Sequence, residues 1–360
     1  MSFDLELTGE QETLRDTLHQ FSAEVVRPAA RACEAAKQTS AEIANGIHEI
    51  GISAPVADEF GGGGLFDAVT HCIVAEELAW GNPAVTYQTL GSGTAAIVIG
   101  LAGSDDQLNR FLPRFAGPAP VPTFVATGEK LAAGDFDAFE TTVDGEKVVG
   151  EKHGVLNAAE AAFGIVVGRT PTGLGAVVVD GDSYEVVKPE DKMGLEAAPT
   201  SVVRFDTVGE ALAGPGLERS LLWSKLLTGA IAVGCARASF EHAAQYATER
   251  KAFGKPIGAF QAISFKVADM AIAVDAARLA VWHAAWALDN DRATHEVVAS
   301  ANGQAIEAAI RCGDDSVQVL GGHGYIKDHP VEMWFRDAVT LSIFDAPELL
   351  GDVIAARAAI

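Results

Sequence analysis

A chain of 360 residues allows two or three domains of ordinary size, and 49% hydrophobic with 21% charged residues is a globular composition that excludes a disordered polymer. With 26 Lys and Arg against 49 Asp and Glu, the formal net charge of −23 has the wrong sign for displacing counterions from nucleic acid or for docking on anionic lipid. Cys33, Cys72, Cys235 and Cys312 lie far apart without a CxxC pair, which offers neither a disulfide framework nor a zinc site. The acidic start lacks a basic-then-apolar signal, and no run of about 18 uncharged apolar residues occurs, so a cytoplasmic protein without a membrane span is expected.

In chain order, Thr8-Gly9-Glu10-Gln11 predicts a capping box. Leu14, Leu18, Phe21 and Val25 then mark one buried helix face, which Pro28 interrupts. A second helix is expected through Ile43, Ile47 and Ile50, ended by the Gly61–Gly64 run, and two more over Asp67–Trp80 and Val85–Leu101. Asp67 suits the N-cap of the first of these two. Pro118, Pro120 and Pro122 mark a boundary. Beyond it, β-branched runs at Ile165–Val167, Val177–Val179, Val186–Val187 and Val202–Phe205, separated by turn sequences, predict an antiparallel β domain. From Leu217 the helical period returns, with Ile263, Val267, Met270 and Val274 forming one stripe. The expected class is α+β, divided into a helical domain at 1–118, a β domain at 119–213 and a helical domain at 214–360.

Four segments could carry chemistry. In Glu249–Gln261, Arg250 could bind a phosphate in bidentate fashion while Phe253 and Phe260 cover an aromatic ring; an ordinary interhelical turn with solvated Arg250 and Lys251 accounts for the same residues. In Gln318–Tyr325, Gly321, Gly322 and Gly324 would let backbone N–H groups approach a pyrophosphate, or would simply cap a helix. Phe60 and the four glycines after it read as a turn, with no strand before them to make a nucleotide fingerprint. Asp345 and Glu348 are two carboxylates in an apolar stretch, for which a helix N-terminus is the simple explanation. The nine histidines show no metal-ligand spacing, and His283 reads as a core residue.

Taken in order, these features resemble the acyl-CoA dehydrogenase family. Glu249–Gln261 is similar to the family's R-x-x-F-G-x-x-I-x-x-F-Q loop, and Gln318–Tyr325 with Pro330-Val331-Glu332 and Arg336-Asp337 resembles its Q-x-x-G-G-x-G-Y…P-V-E…R-D segment. Asp58–Gly62 with Glu76-Glu77-Leu78 looks like its E-Y/F-G-G…E-E-L, and Met193-Gly194-Leu195 with Thr200 and Phe205 looks like its middle domain. The resemblance covers nearly the whole chain and implies a helical domain, a β domain and a C-terminal four-helix bundle. It implies oxidation of an acyl-CoA thioester to the 2,3-enoyl-CoA, with FAD as hydride acceptor, a carboxylate as base and an electron-transferring flavoprotein as the next acceptor. It also implies that Arg250, Ala252, Phe253, Phe260, Gln261, Gln318, Val319, Gly321 and Gly322 hold the adenosine-diphosphate part of FAD, often that of a neighbouring subunit in a tetramer.

Elsewhere the chain departs from the family pattern. The W-I/S-T/S-N segment beside the flavin ring corresponds to Gly154-Val155-Leu156-Asn157, and Y-x-x-T-E-P-x-A-G-S-D corresponds to Phe124–Asp135. The catalytic Glu of Y-E-G-T becomes Asp345, one methylene shorter. The other position at which the family places its base is Ser224, and the CoA-side Arg beside it is Lys225, the candidate substrate contact. Two functions are therefore expected as alternatives. One is an acyl-CoA dehydrogenase using Asp345. The other is a catalytically silent, FAD-sharing subunit that completes the site of a paralogous chain, in fatty acid or sterol side-chain catabolism. A flavin-free scaffold is the simplest remaining reading. The oligomer is a homo- or hetero-tetramer in the first two cases, and no metal is implied.

Overall fold

The computed structural model describes residues 6–64, 67–129, 139–212 and 214–344. Six helices open the chain: α1 (Gly9–Phe21), α2 (Arg27–Ala36), α3 (Ala41–Glu49), α4 (Ala68–Gly81), α5 (Pro83–Ala102) and α6 (Asp105–Phe115). Both arms of the Thr8–Gln11 capping box are present, at 3.2 and 3.0 Å. The α-helical run is interrupted ahead of Pro28, as its ring chemistry requires, but the chain stays helical across the break. A π-turn over Ser22–Val26 absorbs the change of pitch, and Pro28 sits in the first turn of α2, where a missing N–H is least costly. Asp67 caps α4 through a 2.6 Å bond from the Thr70 N–H.

Eight strands form one sheet: β1 (Thr123–Ala126), β2 (Thr142–Asp144), β3 (Lys147–Leu156), β4 (Phe163–Thr170), β5 (Gly173–Asp180), β6 (Glu185–Pro189), β7 (Thr200–Val208) and β8 (Glu210–Leu212). The spatial order is β6-β7-β3-β2-β4-β5-β8, with β1 also on β4. Pairing is antiparallel except that β1 and β2 run parallel to β4. Ile165 and Val167 of β4 face the cluster shared with α5 and α6, while Val166 faces the opposite cluster with Phe124 and Phe205. Burial on both faces explains why β4 reads as an unbroken apolar run. β3, with Lys147, Glu151 and Lys152, carries no such signal.

The remainder is helical: α7 (Leu217–Glu249), a two-residue hairpin of β9 (Lys251–Ala252) and β10 (Lys255–Pro256), then α8 (Gln261–Asp289), α9 (His295–Leu320) and α10 (Val331–Phe344). α7 is the axis of this bundle and also packs on α4 and α5. The apolar window of α7 is 83% buried inside the protein, whereas that of α8 is only 39% buried.

Two charged features lock the domains together. Glu76 and Glu77 of the buried helix α4 accept from Arg237 of α7 at 2.8 and 2.7 Å, and Arg278 of α8 closes on Glu76 at 2.9 Å. Asp337 of α10 accepts the Leu195 N–H at 2.6 Å and so seats the Met193–Leu195 turn, where a Cβ on Gly194 would fall 2.1 Å from the Arg336 carbonyl oxygen. Burial pushes the Asp337 carboxyl from its ordinary 3.8 up to about 7. A raised carboxyl binds its proton more tightly folded than unfolded, so its contribution is complete below about pH 4 and is lost as pH rises to about 7, at up to ~1.4 kcal/mol per pH unit. Asp337→Asn keeps the acceptor and abolishes the titration. Denaturant midpoints of parent and variant should therefore diverge between those pH values, and parallel curves would contradict this assignment.

Candidate cofactor site

α7 ends at Glu249 because Arg250 turns extended, at φ −70° and ψ 128°, while its N–H still donates to the Tyr246 carbonyl at 2.8 Å. The Arg250 carbonyl accepts the Ile257 N–H at 2.8 Å, which closes the hairpin into a rigid loop. Its turn is Phe253-Gly254, with φ of +51° and +84°. Two successive left-handed residues match the tight hairpin geometry that usually selects Asn-Gly. A phenylalanine there is costly, and its side chain is also 97% exposed. Its ring lies edge-on to Phe260 at 6.2 Å, with the Lys255 ammonium 4.3 Å over Phe260.

The second segment ends α9. Gly321 adopts φ +59° and ψ −132°, a conformation suited to glycine, and its N–H donates to the Gln318 and Val317 carbonyls. Cβ atoms built on Gly321 or Gly322 would meet nothing within 4 Å, so their backbone faces open space. Gly324 is different, since a Cβ there would sit 2.6 Å from the Val317 carbonyl. The first two glycines give access, and the third permits packing.

Arg250, Val319, Gly321 and Gly322 line one groove of about 470 Å³, joined by Tyr246 and His323. Ala252, Phe253 and Phe260 belong to the hairpin and the turn beyond it, Gln261 opens α8, and Gln318 is exposed in the last turn of α9; these five stand outside the groove lining. Sequence reasoning missed Tyr246, although it lies one helical turn before Arg250 on the same face. A guanidinium beside a bare glycine backbone suits the two phosphates of a dinucleotide, so Arg250, Gly321 and Gly322 fit the diphosphate end of FAD.

A second cavity lies between α5, β3 and α7. Tyr87, Gly91, Thr94, Thr127, Leu156 and Ser224 are among its lining residues, and its volume is only about 70 Å³. Two side chains crowd the glycines in its lining. Gly154, at φ +66°, is covered by Phe344, whose ring would lie 2.9 Å from a Cβ there. Phe344 also stacks on Tyr87, with centroids 6.3 Å apart. Leu156 fills the opposite side and would meet a Cβ on Gly91 at 2.8 Å. A ligand pocket for a ring system normally offers roughly 300 Å³ or more. The Thr127 wall is held from behind by Glu129, which accepts the Glu140 and Thr141 N–H groups and the buried Lys152 ammonium at 2.6, 3.1 and 2.7 Å. Burial brings Lys152 down to about 8 against the opposing pull of Glu129. Lys225 is buried on α7 next to Ser224. Asp345 and Glu348 lie outside the described residues.

Family models for the acyl-CoA dehydrogenase N-terminal and C-terminal domains match residues 8–117 and 217–358. The benzylmalonyl-CoA dehydrogenase of Aromatoleum aromaticum is 35% identical over 98% of both chains. Among solved structures, butyryl-CoA dehydrogenase from Megasphaera elsdenii superposes at a TM-score of 0.89 with 25% identity, covering 99% of this chain and all of that one. An FAD complex of PigA shares the fold at 0.89 and 22%, covering 99% of each.

Proposed function

The chain belongs to the acyl-CoA dehydrogenase family of FAD-dependent oxidoreductases, and from that premise we propose that it serves α,β-dehydrogenation of an acyl-CoA thioester as the subunit holding the adenosine-diphosphate half of a partner's FAD. The observation that carries this reading is the contrast between the open groove of about 470 Å³ and the inner cavity of about 70 Å³, which Leu156 lines and whose Gly154 is covered by Phe344. FAD supplies the hydride acceptor. This chain's residues bind and orient: Arg250 neutralises the diphosphate, while Gly321 and Gly322, bare of side chains, leave room for it against the backbone.

An exposed apolar face supports assembly with further subunits. Phe265, Ile272 and Leu279 of α8 recur every seven residues and are 64%, 67% and 42% exposed, a stripe suited to a facing helix. In a homotetramer each chain would need both an open ring cavity and an open groove, since each cofactor would be built from two chains. A mixed tetramer needs one of each per cofactor, which leaves the unused cavity free to close. Electron-transferring flavoprotein is then the acceptor for the partner's reduced flavin.

Native mass spectrometry of the assembled protein tests the reading. Two FAD per tetramer, in company with a second dehydrogenase-like chain, is the expected result. A homotetramer that carries four FAD and turns over acyl-CoA would overturn it and return catalysis to this chain, with Asp345 as base.

A further inference from the structure

We propose that a third cavity, between α2, α3 and α5, binds a small uncharged molecule, largely apolar and presenting a carbonyl oxygen to the side-chain amide of Asn157. This cavity has a volume of about 630 Å³ and shares no lining residue with the groove or the inner cavity. α5 is the wall between it and the inner cavity. Gln88, Thr89 and Ser92 face outward, while Tyr87, Gly91 and Thr94, on the other side of the same helix, face inward. The space exists because the facing helices offer only small side chains. Ala29, Ala32, Cys33 and Ala36 recur at helical spacing on α2, and Ala41 and Ala44 continue the surface on α3.

Most polar groups of the wall are engaged within the protein. Ser92 Oγ donates to the Val121 carbonyl at 3.2 Å and accepts the Thr123 N–H at 2.9 Å, Thr89 Oγ1 donates to the Val85 carbonyl at 2.8 Å, and Ser53 Oγ is 3.0 Å from His48 Nδ1. Asn157 is the exception. It is only 8% exposed, and a short relay fixes which way its amide points. The Thr39 N–H can only donate, and it does so to Gln88 Oε1 at 2.9 Å. Gln88 Nε2 must then donate onward, to Asn157 Oδ1 at 3.0 Å. That leaves Asn157 Nδ2 as a donor without a partner in the protein, on a residue that lines the cavity. Its backbone is held as well, at φ +53°, with its N–H on the Pro199 carbonyl at 3.0 Å. A nearly buried donor left open calls for an acceptor.

Charge narrows the ligand further. Among the described lining residues, Glu160 is the only charged one, and it is exposed; no cation faces the space. Pro120 and Pro122 have no N–H to offer an anion. A carboxylate or phosphate entering here would lose water and meet no counter-charge, whereas a neutral carbonyl loses little and gains the Asn157 bond. One fixed polar group in an otherwise apolar cavity of this size is the usual make-up of a small-molecule site.

The test is a ligand-observed NMR titration of the purified full-length protein with three probes on one skeleton: 2-acetonaphthone, 2-naphthoate and 1-(2-naphthyl)ethylamine. The ketone should bind with a dissociation constant on the order of 1 mM, and the carboxylate about tenfold more weakly. Asn157→Asp still accepts from Gln88 and still tolerates the left-handed backbone, but turns the free donor into an acceptor. Ketone affinity should fall about tenfold and the ratio of ketone to amine affinity should reverse in favour of the amine, which a merely loosened fold would not do. Ala44→Leu and Ala32→Leu, on partly and fully exposed positions of the lining, should each weaken the ketone at least about fivefold with thermal unfolding unchanged. Equal binding of ketone and carboxylate, or an Asn157→Asp protein with the parent's order of preference, overturns the assignment of the donor. Ketone binding that survives both leucine variants places the ligand elsewhere and overturns the site.

Discussion

Arg250→Ala is expected to strip FAD from the assembled protein, lowering its affinity by about 10- to 100-fold, the equivalent of roughly 1.5–3 kcal/mol for a lost charge-assisted contact. The loop should survive the change. Its closure uses the Arg250 backbone, donating to Tyr246 and accepting from Ile257, and not the guanidinium. Arg250→Lys supplies a point charge without the planar fork, so partial recovery of FAD is the expected control. The ratio of visible flavin absorbance to protein after gel filtration reads the effect. Parent-like FAD content in Arg250→Ala would move the diphosphate elsewhere in the molecule.

The largest stability effect should come from Arg237→Ala. Glu76 and Glu77 have side chains only 4% exposed, and Arg237 is the cation that bridges them, with its own side chain 13% exposed. Removing it leaves a pair of buried carboxylates with Arg278 on Glu76 and His19 on Glu77 as the remaining partners. Breaking a buried pair in this way costs about 3–5 kcal/mol, mostly as the desolvation of the orphaned charge. Lys37→Ala, which loses an exposed, solvent-screened pair with Asp191, should leave the midpoint close to that of the parent. Chemical denaturation of the three proteins side by side checks the ranking. Equal midpoints for Arg237→Ala and Lys37→Ala would refute the account of what joins α4 to the bundle. Combining Arg237→Met with Glu76→Gln and Glu77→Gln should recover part of the loss, since neutral groups need no counterion.

Several features were legible because their physics is local. The Thr8 and Asp67 caps, the apolar period of the helices and the two-faced burial of β4 each depend on neighbours within a turn or a strand. The residue types of Glu249–Gln261 and Gln318–Tyr325 likewise state a chemistry before any fold is known. Where local rules compete, the outcome was only partly legible: the α-helical run is interrupted ahead of Pro28, as its ring requires, but a single π-turn lets the axis continue. β3 was missed because Lys147, Glu151 and Lys152 hide its period, although Lys152 is fully buried against Glu129.

The sequence by itself determined the order of helical and β segments, the helix starts, the family resemblance and the loss of the indole and hydroxyl at Gly154 and Leu156. Only the tertiary structure decided what those losses amount to. Gly154 leaves space, and whether that space stays open depends on which side chain reaches it from elsewhere. Phe344, at the end of α10, is the one that fills it. The groove is the converse case, since Arg250 and Gly321 become one site only because α7 and α9 pack side by side and end at the same height. A periodic pattern shows which face of an element is buried but not what it is buried against, and the volume of a cavity is set by that second quantity.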